Sequence, residues 1–341
     1  MQLGLLTSLL VVTALCTSWL TVKARHWILA QQLLDVPNER SLHTVPTPRG
    51  GGIALIFPVL AVQLVAFECF DFDLLQGAAW VLVALGFATL GAIDDRFSLS
   101  ARVRFLVQLM LATMFLIVLM LQRHWTADVL QVATAGGLVL GIVWIVNLYN
   151  FMDGADGLAA TQAFAAASIG AWCAADLRLY AISGVAIGIA GASLGFLRWN
   201  WQPAKIFLGD VGSYFLGAQF ALLAVYTYLA GVTPWFWGIL LAPFVVDASL
   251  TLCRRILFGE QWHSAHRTHA YQLLVVEGWS HRRVALSMLA IVSLVLGPLA
   301  WIAAHNPEEA PYAASAAYGL MAITWAIPSF GYRARWVREH P

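Results

Sequence analysis

Charged residues are scarce in this chain of 341 amino acids. They make up 11% of the sequence, whereas hydrophobic residues make up 60%, and the mean hydropathy is +0.75. Soluble domains carry roughly 25% charged residues, so the composition excludes an ordinary soluble protein. Apolar runs of membrane-spanning length occupy most of the chain, which predicts one integral membrane domain over residues 1–341 rather than a soluble domain with an anchor.

Cysteine is also rare. None of the four cysteines belongs to a CxxC or Cys/His pattern, and each lies in or next to an apolar run: Cys16, Cys69, Cys173 and Cys253. This argues against a disulfide framework or a zinc motif, and the four side chains are interpreted as small hydrophobic residues. Internal repeats of 20–50 residues and low-complexity segments are absent as well, so the sequence does not indicate a repeat architecture.

The apolar runs predict an all-α polytopic membrane protein with about eleven transmembrane helices. They lie at about 1–22, 52–68, 77–93, 104–121, 134–151, 157–175, 179–197, 211–230, 235–253, 284–303 and 312–331.

The basic residues predict the orientation of these helices. Alternating the loops places seventeen of the nineteen Lys and Arg residues on one side, and only Arg123 and Arg178 on the other. Basic residues favour the cytoplasmic side, so we expect the N-terminus outside and the C-terminus in the cytoplasm. The first run is followed, not preceded, by Lys23 and Arg25, which indicates an uncleaved helix rather than a secretory signal. The predicted cytoplasmic loops are about 23–51, 94–104, 147–158, 198–213 and 254–283.

The stretch 147–158, NLYNFMDGADGL, combines amides and carboxylates at the end of an apolar run. Asn147, Asn150, Asp153 and Asp156 follow one another at steps of three, so we expect them to share one face of a helix or its continuation. Carboxylates beside hydrocarbon cost several kcal/mol unless they are paired or bind a cation. The stretch is therefore a candidate site, and the alternative is a solvated helix end whose acids cap the next helix.

Asp94 and Asp95 directly follow another apolar run. Adjacent carboxylates repel each other unless a cation relieves them, which suggests a Mg²⁺ ligand, a general base or both. The alternative is a solvated loop in which Arg96 balances the charge of Asp95.

Asp210 stands between Gly209 and Gly212 at the start of a further run, with Ser213 close behind. A carboxylate between glycines at a membrane surface suits a metal ligand beside a phosphate, although a helix cap is the simpler alternative. Lys205 lies just upstream, near tryptophans that fit an interfacial belt.

Residues 263–271 contain His263, His266, Arg267 and His269. Three histidines can bind Zn²⁺, but no cysteine accompanies them, and we expect donors to phosphate oxygens instead. Arg49, followed by three glycines before an apolar run, indicates either an anion cradle or an ordinary turn into a helix.

Together these residues predict one cytoplasmic face with five acids suited to Mg²⁺ and several basic groups suited to phosphates. Such a site fits phosphoryl transfer between a phosphorylated lipid and a soluble phosphorylated molecule.

The motifs, in this order, resemble those of the polyprenyl-phosphate N-acetylhexosamine-1-phosphate transferase family over about residues 30–285. The resemblance rests on Asp94-Asp95, Asn147-x-x-Asn150-x-x-Asp153-Gly-x-Asp156-Gly157, Phe207-x-Gly-Asp210-x-Gly-Ser213 and His266-Arg267-x-His269. It implies transfer of a sugar 1-phosphate from a UDP-sugar to undecaprenyl phosphate, with release of UMP. It also implies a Mg²⁺ requirement, with Mn²⁺ as an alternative, and an active site on the cytoplasmic side of a bacterial inner membrane.

The resemblance further implies roles for single residues. Asp210 and Asp153 would bind the metal, and Asp94, Asp95 and Asp153 would be catalytic, with Asp94 as the base toward the lipid phosphate. Phe207 would stack on uracil. The implied substrate-binding residues are Asn147, Asn150, Asp156, Phe207, Arg49, Lys205, His266, Arg267 and His269. The resemblance is compatible with direct displacement and with a covalent aspartyl intermediate.

The last cytoplasmic loop differs from that of one branch. The peptidoglycan-precursor enzymes carry three adjacent histidines there, whereas this chain has His266-Arg267-Thr268-His269. We therefore expect the branch that initiates O-antigen and related surface polysaccharides, acting on UDP-GlcNAc or a UDP-deoxyaminosugar. The alternative within the family is the phospho-MurNAc-pentapeptide transferase. The alternative outside it is an ion-coupled transporter, which the position of the acids at cytoplasmic helix ends disfavours. We expect no nucleic-acid partner, and a homodimer stays open.

Overall fold

The structure is a computed structural model that describes residues 3–37, 41–123, 125, 128–260 and 267–339, with side chains described between residues 4 and 331. The described residues are almost entirely helical. The helices are α1 (Leu3–Ala30), α2 (Ile53–Cys69), α3 (Leu74–Phe97), α4 (Ala101–Gln122), α5 (Val129–Phe151), α6 (Leu158–Asp176), α7 (Tyr180–Asn200), α8 (Gly209–Leu229), α9 (Trp235–Leu240), α10 (Ala242–Leu257), α11 (Ala270–Val276), α12 (His281–Ile291), α13 (Gly297–His305) and α14 (Ala310–Glu339).

Each predicted apolar run lies in a helix or in a pair of consecutive helices, which confirms an all-helical polytopic membrane protein. The run at 235–253 is divided between α9 and α10 at Leu241, and a π-helical segment, Val292–Leu296, joins α12 to α13. By length and composition, eight membrane-crossing stretches can be recognised among the described residues. The count of eleven spans and the orientation of the termini stay predictions.

Helix α8 is the central helix of the bundle. It is buried along most of its length and packs against α3 and α5. Because protein rather than lipid surrounds it, α8 carries polar residues that pair with its neighbours. The Gln219 side chain accepts a hydrogen bond from Trp80 Nε1 of α3 (2.8 Å) and donates one to Gln63 Oε1 of α2 (3.0 Å). These hydrogen bonds give the Gln219 amide partners inside the bundle.

A pair of short antiparallel strands lies between α1 and α2. Strands β1 (Leu34–Asp35) and β2 (Thr47–Pro48) pair antiparallel. The segment that follows β2 lies against the segment before α8, where Phe207 N donates to Pro48 O (2.8 Å) and Gly51 N donates to Phe207 O (2.8 Å). The start of α2 is thereby fixed to the start of α8.

Candidate active site

An ionic cluster joins four parts of the chain at one end of the bundle. Arg49, just before α2, donates through Nε to Asp95 Oδ1 of α3 (2.7 Å) and through Nη2 to Asp210 Oδ1 of α8 (2.8 Å). Asn150, in the last turn of α5, donates through Nδ2 to the same Asp210 oxygen (2.7 Å) and to Ser213 Oγ (3.1 Å). Three of the predicted motifs and Arg49 therefore meet.

Asp95 holds the N-terminus of α8. Its Oδ1 accepts from the backbone N–H of Asp210 (2.9 Å), and its Oδ2 accepts from that of Val211 (3.0 Å). A carboxylate at this position satisfies unpaired helix donors and interacts favourably with the helix dipole. Gly209 supplies the required turn with a φ of +74°, and a Cβ there would meet Asp95 Oδ2 at 2.7 Å. The geometry of Asp210 thus depends on Asp95.

Glycines allow the three backbones to approach at this point. A Cβ on Gly91 of α3 would lie 2.2 Å from Asp210 O, and one on Gly52 would lie 2.2 Å from Gly212 Cα. Gly51 and Gly52 donate their N–H groups to Phe207 O and Leu208 O, each at 2.8 Å. The anion-cradle interpretation is therefore wrong for these two amides, because they fix the start of α2.

Asp153 lies in the turn after α5, close to the cluster. Burial raises its pKa well above the ordinary value, and the negative charges of Asp210 and Asp95 raise it further, while Arg49 lowers it. Three carboxylates thus share the positive charge of Arg49. An additional cation would relieve this repulsion.

Asp94 has hydrogen-bond partners different from those of its neighbour Asp95. It is only 4% exposed, and its Oδ2 accepts from Arg104 Nη1 (2.9 Å) and from the Tyr214 hydroxyl (3.0 Å). Its Oδ1 accepts from Leu99 N (2.8 Å). Arg104 and Tyr214 were not predicted as site residues, because both contacts join side chains of different helices and local spacing does not indicate them. The role of Asp94 as a base stays a prediction.

The four polar residues of 147–158 do not converge. Because α5 ends at Phe151, only Asn147 and Asn150 lie on a helix. Asn147 donates to Gln108 Oε1 of α4 (2.6 Å), whereas Asn150 donates to Asp210 of α8. Asp156 accepts from Ala204 N (3.1 Å), and its own N–H donates to His281 Nδ1 (3.1 Å). The expected convergence is therefore wrong for Asn147 and Asp156, whereas Asn150 and Asp153 both lie near Asp210. Substrate binding by Asn147 and Asp156 stays a prediction.

Two further predicted residues lie around the cluster. The Phe207 ring is half-buried and contacts His43 edge-on, with ring centroids 4.8 Å apart. The exposed Lys205 places its Nζ over the Trp199 ring, 5.3 Å from the centroid. Neither contact tests the expected substrate role.

The loop before α11 is described from Arg267 onward, and His266 lies outside the described residues. Arg267 is exposed, whereas His269 is 5% exposed and has its Nδ1 3.2 Å from Asp247 Oδ1 of α10. Asp247 was not predicted as a site residue. The signal was present, because a single acid inside the apolar run 235–253 is costly unless it has a specific role.

A cavity of about 350 Å³ opens beside the cluster. Its lining combines charged residues such as Arg49, Asp95 and Arg96 with apolar residues such as Trp27 and Ala92. The mixed lining fits a molecule with an anionic head and an apolar part.

The donor set fits a hard cation better than a soft one. Asp210, Asp153 and Asn150 offer oxygen ligands, which Mg²⁺ prefers, and their charge exceeds that of Arg49. Among the described residues, no three His, Cys, Asp or Glu side chains form a ready-made metal site. The chemical type of these ligand atoms therefore fits Mg²⁺.

The fold and the cluster define a polytopic helical membrane protein with an ionic site at one end of its bundle. The family model described as glycosyl transferase family 4 matches residues 78–228. Together with the similarities below, this shows that the chain belongs to that family, whose class is the sugar-1-phosphate transferases, a group of phosphotransferases.

The chain is similar over most of its length to curated proteins of three kinds. It is 32% identical to the decaprenyl-phosphate N-acetylglucosaminephosphotransferase of Mycobacterium leprae, over 83% of this chain and 80% of that protein. It is 30% identical to a protein of Bacillus subtilis named probable undecaprenyl-phosphate N-acetylglucosaminyl 1-phosphate transferase, over 76% and 74%. A phospho-N-acetylmuramoyl-pentapeptide-transferase of a Geobacillus species is 29% identical, over 72% and 80%.

Proposed function

We propose that the protein transfers N-acetylglucosamine 1-phosphate, or a related N-acetyl-deoxyaminosugar 1-phosphate, from a UDP-sugar to undecaprenyl phosphate. The lipid phosphate oxygen forms a bond to the sugar-bearing phosphorus, and the bond from that phosphorus to the UMP oxygen breaks. The products are undecaprenyl-diphospho-sugar and UMP.

The observation that carries the proposal is the cluster of Arg49, Asp95, Asp210 and Asn150. Phosphoryl transfer needs charges fixed in place before substrate binds. Arg49 contacts two carboxylates from different helices, and Asn150 donates a second hydrogen bond to Asp210. The adjacent cavity offers both ionic and apolar walls, as a lipid phosphate requires. The names of the Mycobacterium leprae and Bacillus subtilis relatives support the same reaction.

Asp210 and Asp153 would hold Mg²⁺, or Mn²⁺ in its place. When bound, the metal neutralises charge on a diphosphate. Asp95 keeps Asp210 in position through the backbone of α8. Asp94, held by Arg104 and Tyr214, would accept the proton of the lipid phosphate.

Further parts of the proposal concern the surroundings of the reaction. Lys205, Arg267 and His269 would bind the donor, with Phe207 against the uracil. The active site would face the cytoplasm at the inner membrane of a bacterium, and the lipid product would start O-antigen or related surface polysaccharide synthesis. A homodimer is compatible with this proposal, and no nucleic acid takes part in it.

A panel of donors tests the proposal. Purified protein with undecaprenyl phosphate and Mg²⁺ is expected to release UMP from UDP-N-acetylhexosamines but not from UDP-MurNAc-pentapeptide. The second candidate, the pentapeptide transferase, is favoured by the Geobacillus relative, and turnover of the pentapeptide donor alone would establish it. Ion flux in proteoliposomes without UMP release would instead indicate a transporter.

Within the same assay, Arg267→Lys should raise the KM for the UDP-sugar several-fold. Lysine keeps the charge but loses the planar pair of donors that suits a diphosphate. An unchanged KM would remove Arg267 from the proposed donor site.

A further inference from the structure

Asp247 is a buried acid in the middle of α10 that the reaction proposed above does not use. It is 6% exposed. Its Oδ1 accepts from Ala270 N (3.0 Å) and from the Thr251 hydroxyl (3.1 Å), and its Oδ2 accepts from Tyr271 N (3.2 Å). The carboxylate thus binds the first turn of α11, which follows it by more than twenty residues.

The same face of α10 holds the end of the loop before α11. Arg254, seven residues after Asp247, donates through Nη2 to Thr268 O (3.0 Å), and His269 Nδ1 lies 3.2 Å from Asp247 Oδ1. Residues at these spacings share a helix face. Asp247 and Arg254 therefore contact His269 and Thr268, the two residues that follow Arg267.

The contacts around Asp247 extend to α14 and to the turn that follows α5. Trp325 of α14 donates through Nε1 to Thr251 Oγ1 (3.0 Å), which fixes the hydroxyl that contacts Asp247. The Tyr271 hydroxyl donates to Phe151 O (3.1 Å), two residues before Asp153. A Cβ on Gly154 would overlap this hydroxyl, so α11 lies directly on the turn that carries Asp153.

A carboxylate is a costly way to cap a short helix. Burying an ionised group costs several kcal/mol even when it is hydrogen-bonded, whereas a Ser, Thr or Asn next to the helix would satisfy the same amides. A charged group on another helix instead fixes the position of residues 268–271 relative to α10. Fixed orientation is what a binding loop for a charged donor requires.

We infer that Asp247 is a positioning residue that fixes Arg267 and His269 for binding of the UDP-sugar diphosphate. The inference rests on the proposed function and adds Asp247 as the residue that orders Arg267 and His269, two of the proposed donor-binding residues. Asp247 itself touches no substrate.

Asp247→Asn tests this inference. An amide offers one oxygen acceptor, so it cannot serve both backbone N–H groups and the Thr251 hydroxyl as the carboxylate does. We expect the KM for UDP-N-acetylglucosamine and the Kd for UDP, measured by calorimetry, to rise about ten-fold, with kcat changed much less. The thermal midpoint in detergent is measured on the same samples.

A double-mutant cycle with Arg267→Ala separates positioning from general stability. If Asp247 acts through the loop, the two changes share one effect and the double variant has a KM close to that of the worse single variant. Additive effects on KM, or a lower thermal midpoint with unchanged KM and Kd, would overturn the inference. If Asp247→Asn does not fold, Thr251→Val is the second test, because it removes one hydrogen bond to the same carboxylate. We expect its Kd for UDP to rise two- to three-fold. An unchanged Kd would contradict the inference.

Asp176→Asn is the matched control. Asp176 Oδ2 pairs with His305 Nε2 (2.8 Å), which is also a carboxylate–imidazole contact, but it lies at the end of α6 remote from the cluster. Its KM and Kd should equal those of the wild type. A wild-type protein that releases no UMP from any UDP-sugar would overturn the proposed function, and UDP binding would still test the role of Asp247.

Discussion

Asp94 and Asp95 are adjacent in the sequence, yet their carboxylates bind different parts of the protein. Asp95 accepts from the backbone of α8 and from Arg49, whereas Asp94 accepts from Arg104 and Tyr214. Successive residues near a helix end point about 100° apart, so each acid reaches its own set of donors. The two carboxylates therefore have different structural partners, and mutations at the two positions should not have the same effect.

Asp210→Asn should abolish transfer while the protein still folds and inserts. Asp210 accepts from Arg49 and Asn150 at the centre of the cluster, and a neutral amide cannot replace an anionic ligand for Mg²⁺. UMP release at saturating Mg²⁺ measures the effect. More than roughly a tenth of wild-type activity, a loss below about 1.4 kcal/mol, would contradict the assignment.

Asp73→Asn serves as the control for that measurement. Asp73 is exposed and caps α3 by accepting from Gln76 N (2.8 Å), at the opposite end of α3 from Asp95. Asparagine caps helices about as well as aspartate, so the variant should keep wild-type activity and show that loss of a carboxylate elsewhere is harmless.

At the scale of helices, the site depends on how closely α3 approaches α8. Gly91 lies opposite Asp210 O, where a methyl group would stand 2.2 Å from that oxygen. A backbone atom cannot move aside as a side chain can, so added volume must displace the start of α8. The cluster residues would then lose their alignment without being changed themselves.

Gly91→Ala should therefore lower kcat by ten-fold or more and also lower the thermal midpoint. Misplacement by about 1 Å is enough for a loss of this size. Gly136→Ala on α5 is the control, because a Cβ there meets nothing within 4 Å, and alanine in a helix is favourable. Equal kcat in the two variants would show that the α3–α8 approach does not set the geometry of Asp210.

The sequence predicted the helices better than it predicted the contacts of the site. Apolar runs mark helices because each span must satisfy its own backbone, and all eleven runs coincide with helical segments. The motifs correctly identified Asp95, Asn150 and Asp210 as residues that meet at one end of the bundle. Local spacing, however, also placed Asp156 with them, because it takes no account of where α5 ends. It placed Asn147 there as well, although the Asn147 side chain contacts α4 instead.

Contacts between distant segments were beyond local patterns. The partner of Asp95 and Asp210 is Arg49, which was predicted to bind substrate and is shown as a bridge between carboxylates. Asp247 is marked by its position inside an apolar run, but its partners could not be predicted, because Ala270 and Tyr271 belong to a helix of only seven residues with ordinary composition. Such pairs follow from tertiary packing, which a single sequence does not specify.

At the scale of the whole molecule, the cluster is built from elements that all end on one side of the bundle. The C-terminal ends of α3 and α5 meet the N-terminal ends of α2 and α8. The long helices expose large apolar side chains over much of their outer surface, as lipid-facing helices do. A site at the helix ends is therefore available both to a lipid from the bilayer and to a solute from one aqueous side.

The distribution of basic residues predicts which aqueous side that is. In a variant with the four native cysteines replaced, single cysteines at positions 128 and 308 should react with an impermeant reagent added to intact cells. Cysteines at 43, 264 and 337 should react only after permeabilisation, because the predicted topology places seventeen of the nineteen Lys and Arg residues on the cytoplasmic side. Labelling of position 264 in intact cells would place the donor loop outside the cell, where the cytoplasmic UDP-sugar could not reach it.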